Sequence, residues 1–316
     1  MLMPVTMSIQ PSMDESPKVS CVVLNWNNYE DTSNCIKSLI EQDYDNFDII
    51  VVDNGSVDGS GTKLKQQFDS INVVFNATNL GFAGGMNRGI EIALENDTEY
   101  VWILNNDIVV KPKSLCRLVD RMTSNVGIGV LSPKILDFDN NLWFSKGVVN
   151  WWIGRVTHSE PDESEEGLID NDYIPLAAAL IDADVIEEAG IIPENYFLYF
   201  EDVEFSQEVK NLNRDVYTDL ATTVLHKGSA SGGGETGPIF SYYIFRNYFL
   251  FKKKYSELVG LGFYPYYFIL FLYGVIRRLT KKELNGLIGQ FRGFLDGIKL
   301  KSGKGEWIHN QATKKD

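Results

Sequence analysis

Cysteine, internal repetition and, over most of the chain, basic charge are in short supply, and each shortage excludes something. The three cysteines, Cys21, Cys35 and Cys116, are scattered and odd in number. They match no zinc spacing and no disulfide framework, so a reducing compartment is expected. The N-terminus lacks a basic stretch followed by an apolar one, and residues 1–17 read as a flexible tail, not a signal peptide. No segment repeats. Residues 1–245 hold 15 Lys/Arg against 38 Asp/Glu, whereas 246–316 hold 14 against 5. An acidic body with a basic end points to an anionic surface as partner for that end. Nucleic acid is not expected, because the basic end carries an uncharged aromatic and aliphatic run that suits lipid better than a phosphate groove.

What is present is an alternation of two periods. VSCVVLNWNN (19–28) predicts a buried strand, and Cys35, Ile36, Leu39 and Ile40 follow near helical spacing. FDIIVVDNGSVDGS (47–60) predicts a second strand closing on an acid and a turn, TKLKQQF a helix, and INVVF (71–75) a third strand. The glycine-rich NATNLGFAGGMNRG (76–89) opens a helix, and YVWILNND is the next strand. Strand–helix units of about 25–30 residues imply βαβ crossovers and a mainly parallel sheet, hence an α/β protein. From 128 to 175 the pattern loosens into short strands or a hairpin and a solvated acidic loop, HSEPDESEEGLIDND. LAAALIDADVIEEAG then leads into a helix ending at Gly190.

VWILNNDIVV (101–110) interrupts a buried strand with two amides and an acid. In parallel sheets ligands bind beyond the carboxyl ends of the strands. Asn27, Asp53 and Asp107, where successive strands run out, are therefore expected along one rim. Each alone is an ordinary turn residue; three strands in succession ending this way point to a site. Glu201 and Asp202 stand in an aromatic frame, YFLYFEDVEF (196–205), at the head of a helix, where acids also complement the helix dipole.

These segments carry a resemblance. With VVLNWNN (22–28), IIVVDNGSVDGS (49–60), NLGFAGGMNRG (79–89), ILNNDIVVKP (103–112), YFLYFEDVEF (196–205), HKGSAS (226–231) and YYIFRN (242–247) in that order, the chain resembles family 2 glycosyltransferases of the GT-A fold, in the rhamnosyltransferase-like branch. The resemblance implies a GT-A nucleotide-diphospho-sugar transferase domain over 18–247, followed by a C-terminal helical extension, 248–316. It implies Mg²⁺ or Mn²⁺ as cofactor, with Asn105-Asn106-Asp107 in place of the family's Asp-x-Asp. Asn105 replaces the first acid, which leaves Asp107 as the anionic metal ligand and counts Asn105 and Asn106 among the donor-binding residues. His226 takes the place of the family histidine that reaches the metal or the diphosphate; His158 and His309 lie in the acidic loop and the tail.

By the same resemblance Asp202 is the general base, with Glu201 beside it orienting acceptor or base. Asp53 is expected to accept the imide N–H of uracil or thymine in a pocket lined by Asn25 and Asn27. Asn79, Gly81, Gly84, Gly85, Asn87 and Arg88 are expected to approach the nucleotide closely. Two positions depart from the family. Glu208 stands where an Arg usually follows the base, so the counter-charge is either missing or supplied by Lys210. The small Gly-Ala step before the acceptor loop reads LAAAL.

The expected activity is inverting transfer of a sugar from a UDP- or dTDP-sugar to a hydroxyl of a glycan or lipid-linked glycan, in surface polysaccharide synthesis. Residues 258–276 form the longest uncharged run, between the Lys252–Lys254 cluster and RRLTKK (277–282). Its glycines, proline and four tyrosines suit a membrane interface. Peripheral attachment to the cytoplasmic face through 252–282 is expected ahead of burial, against the sheet or a second subunit, and ahead of spanning. Two rivals remain. Asn105 and Glu208 are compatible with a decayed, membrane-recruited sugar-nucleotide-binding scaffold. A sugar-phosphate nucleotidylyltransferase needs a basic, glycine-rich N-terminal signature that CVVLNWNNYEDT lacks.

Overall fold

The structure, a computed structural model, describes residues 16–161, 166–228 and 237–306. Most of the expected N-terminal tail, part of the acidic loop, the end of HKGSAS and His309 lie outside the described residues. In chain order the first half comprises β1 (Val19–Asn25), α1 (Tyr29–Ile40), β2 (Phe47–Asp53), α2 (Ser60–Gln67), β3 (Asn72–Phe75), α3 (Gly81–Glu95), β4 (Tyr100–Asn105), β5 (Ile108–Val109), α4 (Ser114–Ser124) and β6 (Ile128–Leu136). There follow β7 (Leu142–Phe144), β8 (Lys146–Asn150), β9 (Arg155–Ser159), β10 (Leu168–Asp170), β11 (Ala178–Asp182), α5 (Ala183–Ala189), α6 (Glu201–Asn211) and β12 (Asp215–His226). Three helices close the chain: α7 (Pro238–Lys254), α8 (Phe263–Thr280) and α9 (Leu284–Ile298).

The central sheet runs β10-β12-β6-β11-β4-β1-β2-β3. Its β3-β2-β1-β4 half is parallel, as the alternating pattern predicts. The antiparallel β11 then lies between β4 and β6, and β12 runs parallel to β6. β1 and β4 are buried on both faces, which explains why their sequences read as continuous apolar runs instead of alternating ones. Helix α3 lies very close to this half of the sheet. A Cβ on Gly85 would stand 2.4 Å from Leu24 Cδ1, and one on Gly89 2.3 Å from Val22 Cγ1.

The loosened stretch resolves into β6, β7 and a separate β8–β9 hairpin. The hairpin tip docks on the connection between α7 and α8, where Gly260 N–H donates to the Trp151 carbonyl (2.9 Å) and Trp152 fills the space a side chain at Gly260 or Gly262 would need. The domain boundary expected at 247/248, where the last motif of the resemblance ends, falls inside α7, because that motif is the middle of a helix that runs on to Lys254. Helix α9 packs against α7 almost backbone to backbone: a Cβ on Gly289 or Gly293 would lie 2.3 or 2.2 Å from the Pro238 or Tyr242 carbonyl oxygen. Among the described residues no helix is long and apolar enough to cross a membrane.

Candidate active site

Parallel register brings β1, β2 and β4 to one rim, with Asn25 opposite Asp53 and Leu24 opposite Asn105. Asn25 is fully buried and donates to Asp53 Oδ1 (2.6 Å) and Ser60 Oγ (2.8 Å). Ser56 Oγ donates to the same Asp53 oxygen (2.5 Å) and accepts from Asn27 N–H (2.9 Å), while Asn27 Oδ1 accepts from Val57 N–H (2.8 Å). The backbone at Asn27 is left-handed (φ 50°). Thr32 Oγ1 donates to Asn25 Oδ1 (2.8 Å) and accepts from Asn106 Nδ2 (3.0 Å), so one side-chain network joins Asp53 to the amide-amide-acid corner.

The corner and the histidine are far apart in sequence and adjacent in space. The antiparallel pairing of β5 with the end of β12 sets His226 opposite Ile108, and the Lys227 N–H donates to the Asp107 carbonyl (3.1 Å). His226 Nε2 consequently lies 3.1 Å from Asp107 Oδ1. The imidazole is buried, with Trp143 packed edge-on against it at a centroid distance of 4.4 Å. Among the described residues its Nδ1 has no hydrogen-bond partner.

This pair fits one edge of a cation's coordination shell. Adjacent ligands of an octahedral Mg²⁺ or Mn²⁺, with bonds of about 2.1 Å, lie about 3 Å apart. A carboxylate oxygen and an imidazole nitrogen are also suitable donor types. Among the described residues no group of three His, Cys, Asp or Glu could hold a metal. Asp107 and His226 would thus supply two ligands, and the donor's phosphates and water the rest.

The acids of the second cluster follow three residues with unusual backbones. Phe197, Tyr199 and Phe200 have φ of 66°, 68° and 78°. For bulky side chains each such residue costs on the order of 1–3 kcal/mol, and such strain persists only where surroundings enforce it. The chain then enters α6 with Glu201 buried and Asp202 half-buried. Burial raises the pKa of both carboxyls above the ordinary range, and the Asp202 charge adds to the rise at Glu201. Glu201 Oε2 has no partner among the described residues. The Val203 N–H donates to Asp202 Oδ1 (2.9 Å), which opposes its rise. Its charge bears on the Tyr173 hydroxyl, and the rings of Tyr173, His158, Trp143 and His226 follow one another at 6.2, 5.2 and 4.4 Å. An aromatic wall therefore links the acid pair to the imidazole.

Several expected residues take other places. Gly85 serves helix–sheet packing, Asn87 binds the backbone of Ile192 and the Glu194 carboxylate, and Arg88 is exposed and paired with Glu91 (2.7 Å). Gly84 stands over Leu80, while Asn79 accepts from Gly81 N–H (2.8 Å). Gly81 needs its left-handed φ of 85°, and a Cβ there would meet the Phe197 carbonyl oxygen at 2.5 Å. Lys210 does not face Glu201 and Asp202; it pairs with Asp170 (3.4 Å). Lys254, in the last turn of α7, pairs with Glu208 (3.0 Å) and Glu204 (3.4 Å) further along α6. Sequence reasoning missed Asn54, which is buried and holds the Asn79–Gly81 loop through Leu80 N–H (3.1 Å) and the Gly81 carbonyl (2.9 Å). It also gave no role to Thr32, Trp143, Arg246 or Asn247, although the last two stand in the quoted YYIFRN.

A mixed sheet of this order, with its polar rim at the carboxyl ends of the parallel strands and a helical C-terminal region, is the GT-A glycosyltransferase fold. Glycosyl transferase family 2 matches residues 20–176. The chain belongs to this family and is a glycosyltransferase. It is similar to the low-salt glycan biosynthesis hexosyltransferase Agl10 of Haloferax volcanii, at 24% identity over 95% of this chain and 97% of the relative. It is likewise 24% identical, over 58% of its length and 68% of the relative, to an N-acetylglucosaminyl-diphospho-decaprenol L-rhamnosyltransferase of Mycobacterium tuberculosis. The mannosyltransferase PcManGT of Pyrobaculum calidifontis, solved with GDP-Man and Mn²⁺, shares the fold with a TM-score of 0.57 at 13% identity, covering 95% of this chain and 80% of that one.

Proposed function

We propose that the protein is an inverting hexosyltransferase that moves a sugar from a UDP- or dTDP-sugar to a hydroxyl of a glycan or lipid-linked glycan. The observation that carries this reading is the Asp107–His226 pair, 3.1 Å apart on the rim that Asp53 and Asn25 also reach. Asp202 takes the proton of the acceptor hydroxyl. The oxygen then attacks the anomeric carbon from the face opposite the diphosphate, the bond to the leaving oxygen breaks, and UDP or dTDP departs. Asp107 and His226 would hold a divalent cation, which when bound offsets the charge developing on the diphosphate. Asp53 would accept the imide N–H of the nucleobase, with Asn25 and Ser56 fixing its carboxylate.

The names of the relatives support this reading, since one is a hexosyltransferase and another acts on a diphospho-decaprenol acceptor. A panel of nucleotide-sugars with Mn²⁺ tests it. Nucleoside-diphosphate release from a UDP- or dTDP-sugar, abolished by EDTA, is expected; no release from any of them overturns the proposal.

Helices α8 and α9 support an acceptor at a membrane surface. Exposed Phe268, Leu272 and Ile276 recur at helical spacing on α8, as do Ile288, Phe291 and Leu295 on α9. Exposed Lys281, Lys282 and Lys299 border this apolar surface. Two of the expected cations are not available to lipid. Arg278 is buried against Gln290 (3.0 Å) and Ser241 (2.7 Å), and Lys254 serves the α6 acids. The remaining arrangement suits the headgroup region of an anionic bilayer, at the cytoplasmic face. Co-sedimentation with phosphatidylglycerol vesicles is expected, weakening with salt and absent with purely zwitterionic ones. No sedimentation, together with a concentration-dependent dimer, would assign the apolar surface to a second subunit.

A further inference from the structure

We propose that Arg246 and Asn247 are positioning residues that hold the left-handed loop before α6 in the shape that aims Asp202, and so set its reach toward the acceptor hydroxyl. The inference rests on the reading of Asp202 as the base. Both side chains are fully buried in α7. Asn247 Nδ2 donates to the carbonyls of Leu198 (2.7 Å) and Tyr199 (2.9 Å), with Tyr196 O at 3.4 Å. Arg246 Nη2 donates to the Tyr196 carbonyl (2.5 Å), Nη1 to the Gly303 carbonyl (2.5 Å), and Nε to Asn247 Oδ1 (2.8 Å). Tyr243 lies under the guanidinium at 4.7 Å and stacks on Phe197.

The other side of the loop is closed as well. Phe82 N–H donates to the Phe197 carbonyl (2.9 Å), and that same oxygen fills the space over Gly81. The strained residues 197–200 are thus clamped between the start of α3 and the middle of α7. A guanidinium taken out of water and spent on amide oxygens is a costly way to fill a core. Its fork is suited to fixing several carbonyls at once.

The route from clamp to base is the chain itself. The Leu198 and Tyr199 carbonyls that Asn247 holds lie four and three residues before Asp202, and only Phe200 and Glu201 stand between. Loosening the loop moves Asp202 away from the acceptor oxygen.

The test uses the full chain and the donor sugar that wild type turns over. In Asn247→Ala, kcat is expected to fall about a hundredfold, the scale of a 1 Å misplacement of a reacting group. Calorimetric binding of UDP or dTDP with Mn²⁺ stays at the wild-type value. Loss of stability alone does not lower kcat independently of nucleotide affinity. If Asn247→Ala fails to show a cooperative melt, Arg246→Lys keeps the charge and part of the contact and should show the same split. Wild-type kcat in a folded variant, parallel loss of kcat and affinity, or failure of both variants to fold each overturns the proposal. The base assignment fails separately: Asp202→Asn at wild-type turnover sinks it, while the kcat loss in Asn247→Ala still tests the clamp. If both readings hold, adding Asn247→Ala to Asp202→Asn costs little further turnover.

Discussion

Asp202→Asn should reduce transfer by about two to four orders of magnitude, the range of a positioned general base, while UDP or dTDP binding with Mn²⁺ is retained. The amide preserves the shape of the side chain at the head of α6 and removes its basicity. Stability should change in the opposite direction. Burial holds the Asp202 pKa above its unfolded value, so the native state binds more protons than the unfolded one between the two. Stability therefore falls as pH rises through that window and stays at the lower level above it. Asparagine has no such penalty, and the variant should melt higher than wild type at neutral pH and no higher at pH 3. Wild-type turnover by Asp202→Asn, measured as nucleoside-diphosphate release, rules the residue out as base. The wild-type rate should itself decline on acidification through the raised pKa, because only the ionised carboxylate accepts the proton.

Asp107→Ala should have an effect of similar size at a different step. Asp107 is the acid paired with the imidazole, and Asn105 stands at the other acidic position of the family's Asp-x-Asp. Its removal leaves His226 as a single neutral ligand, too little to retain Mn²⁺ against water. The expected signature is in binding: UDP affinity, enhanced by Mn²⁺ in wild type, should fall in the variant to the level seen with EDTA, and turnover by about a thousandfold, the scale of losing a stabiliser of transition-state charge. His226→Ala should give a smaller loss in the same direction. An Asp107→Ala protein that still binds UDP more tightly with Mn²⁺ than with EDTA places the cation elsewhere.

The parallel half of the sheet was legible because β1, β2 and β4 are apolar runs broken by polar tips, and the rim followed from where those runs stop. The β5–β12 pairing was not. Its two-residue strand Ile108–Val109 is too short to show a period, and only the family resemblance linked Asp107 to His226 in advance. The packing that Gly85 permits was not legible either, since its neighbour Leu24 lies in β1, far away in sequence. Lys254 was not foreseen as the partner of Glu208 because spacing along α6 says nothing about the last turn of α7. Arg246 and Asn247 were visible as a motif, but their partners are carbonyl oxygens, which leave no trace in side-chain identity. The positive φ values at Phe197, Tyr199 and Phe200 were illegible for the same reason, as aromatic residues do not advertise that conformation.

The stretch carrying the family signature, 20–176, contains Asp107 but not His226, and β5 gains its partner strand only from the end of β12. The Asp107–His226 pair is therefore assembled across the chain and cannot be inherited with either part alone. During synthesis the corner at Asp107 stays unlatched until residue 226 has left the ribosome. A chimera that swaps only the first 176 residues with a relative would carry over the rim around Asp53 and yet combine one protein's carboxylate with another's imidazole.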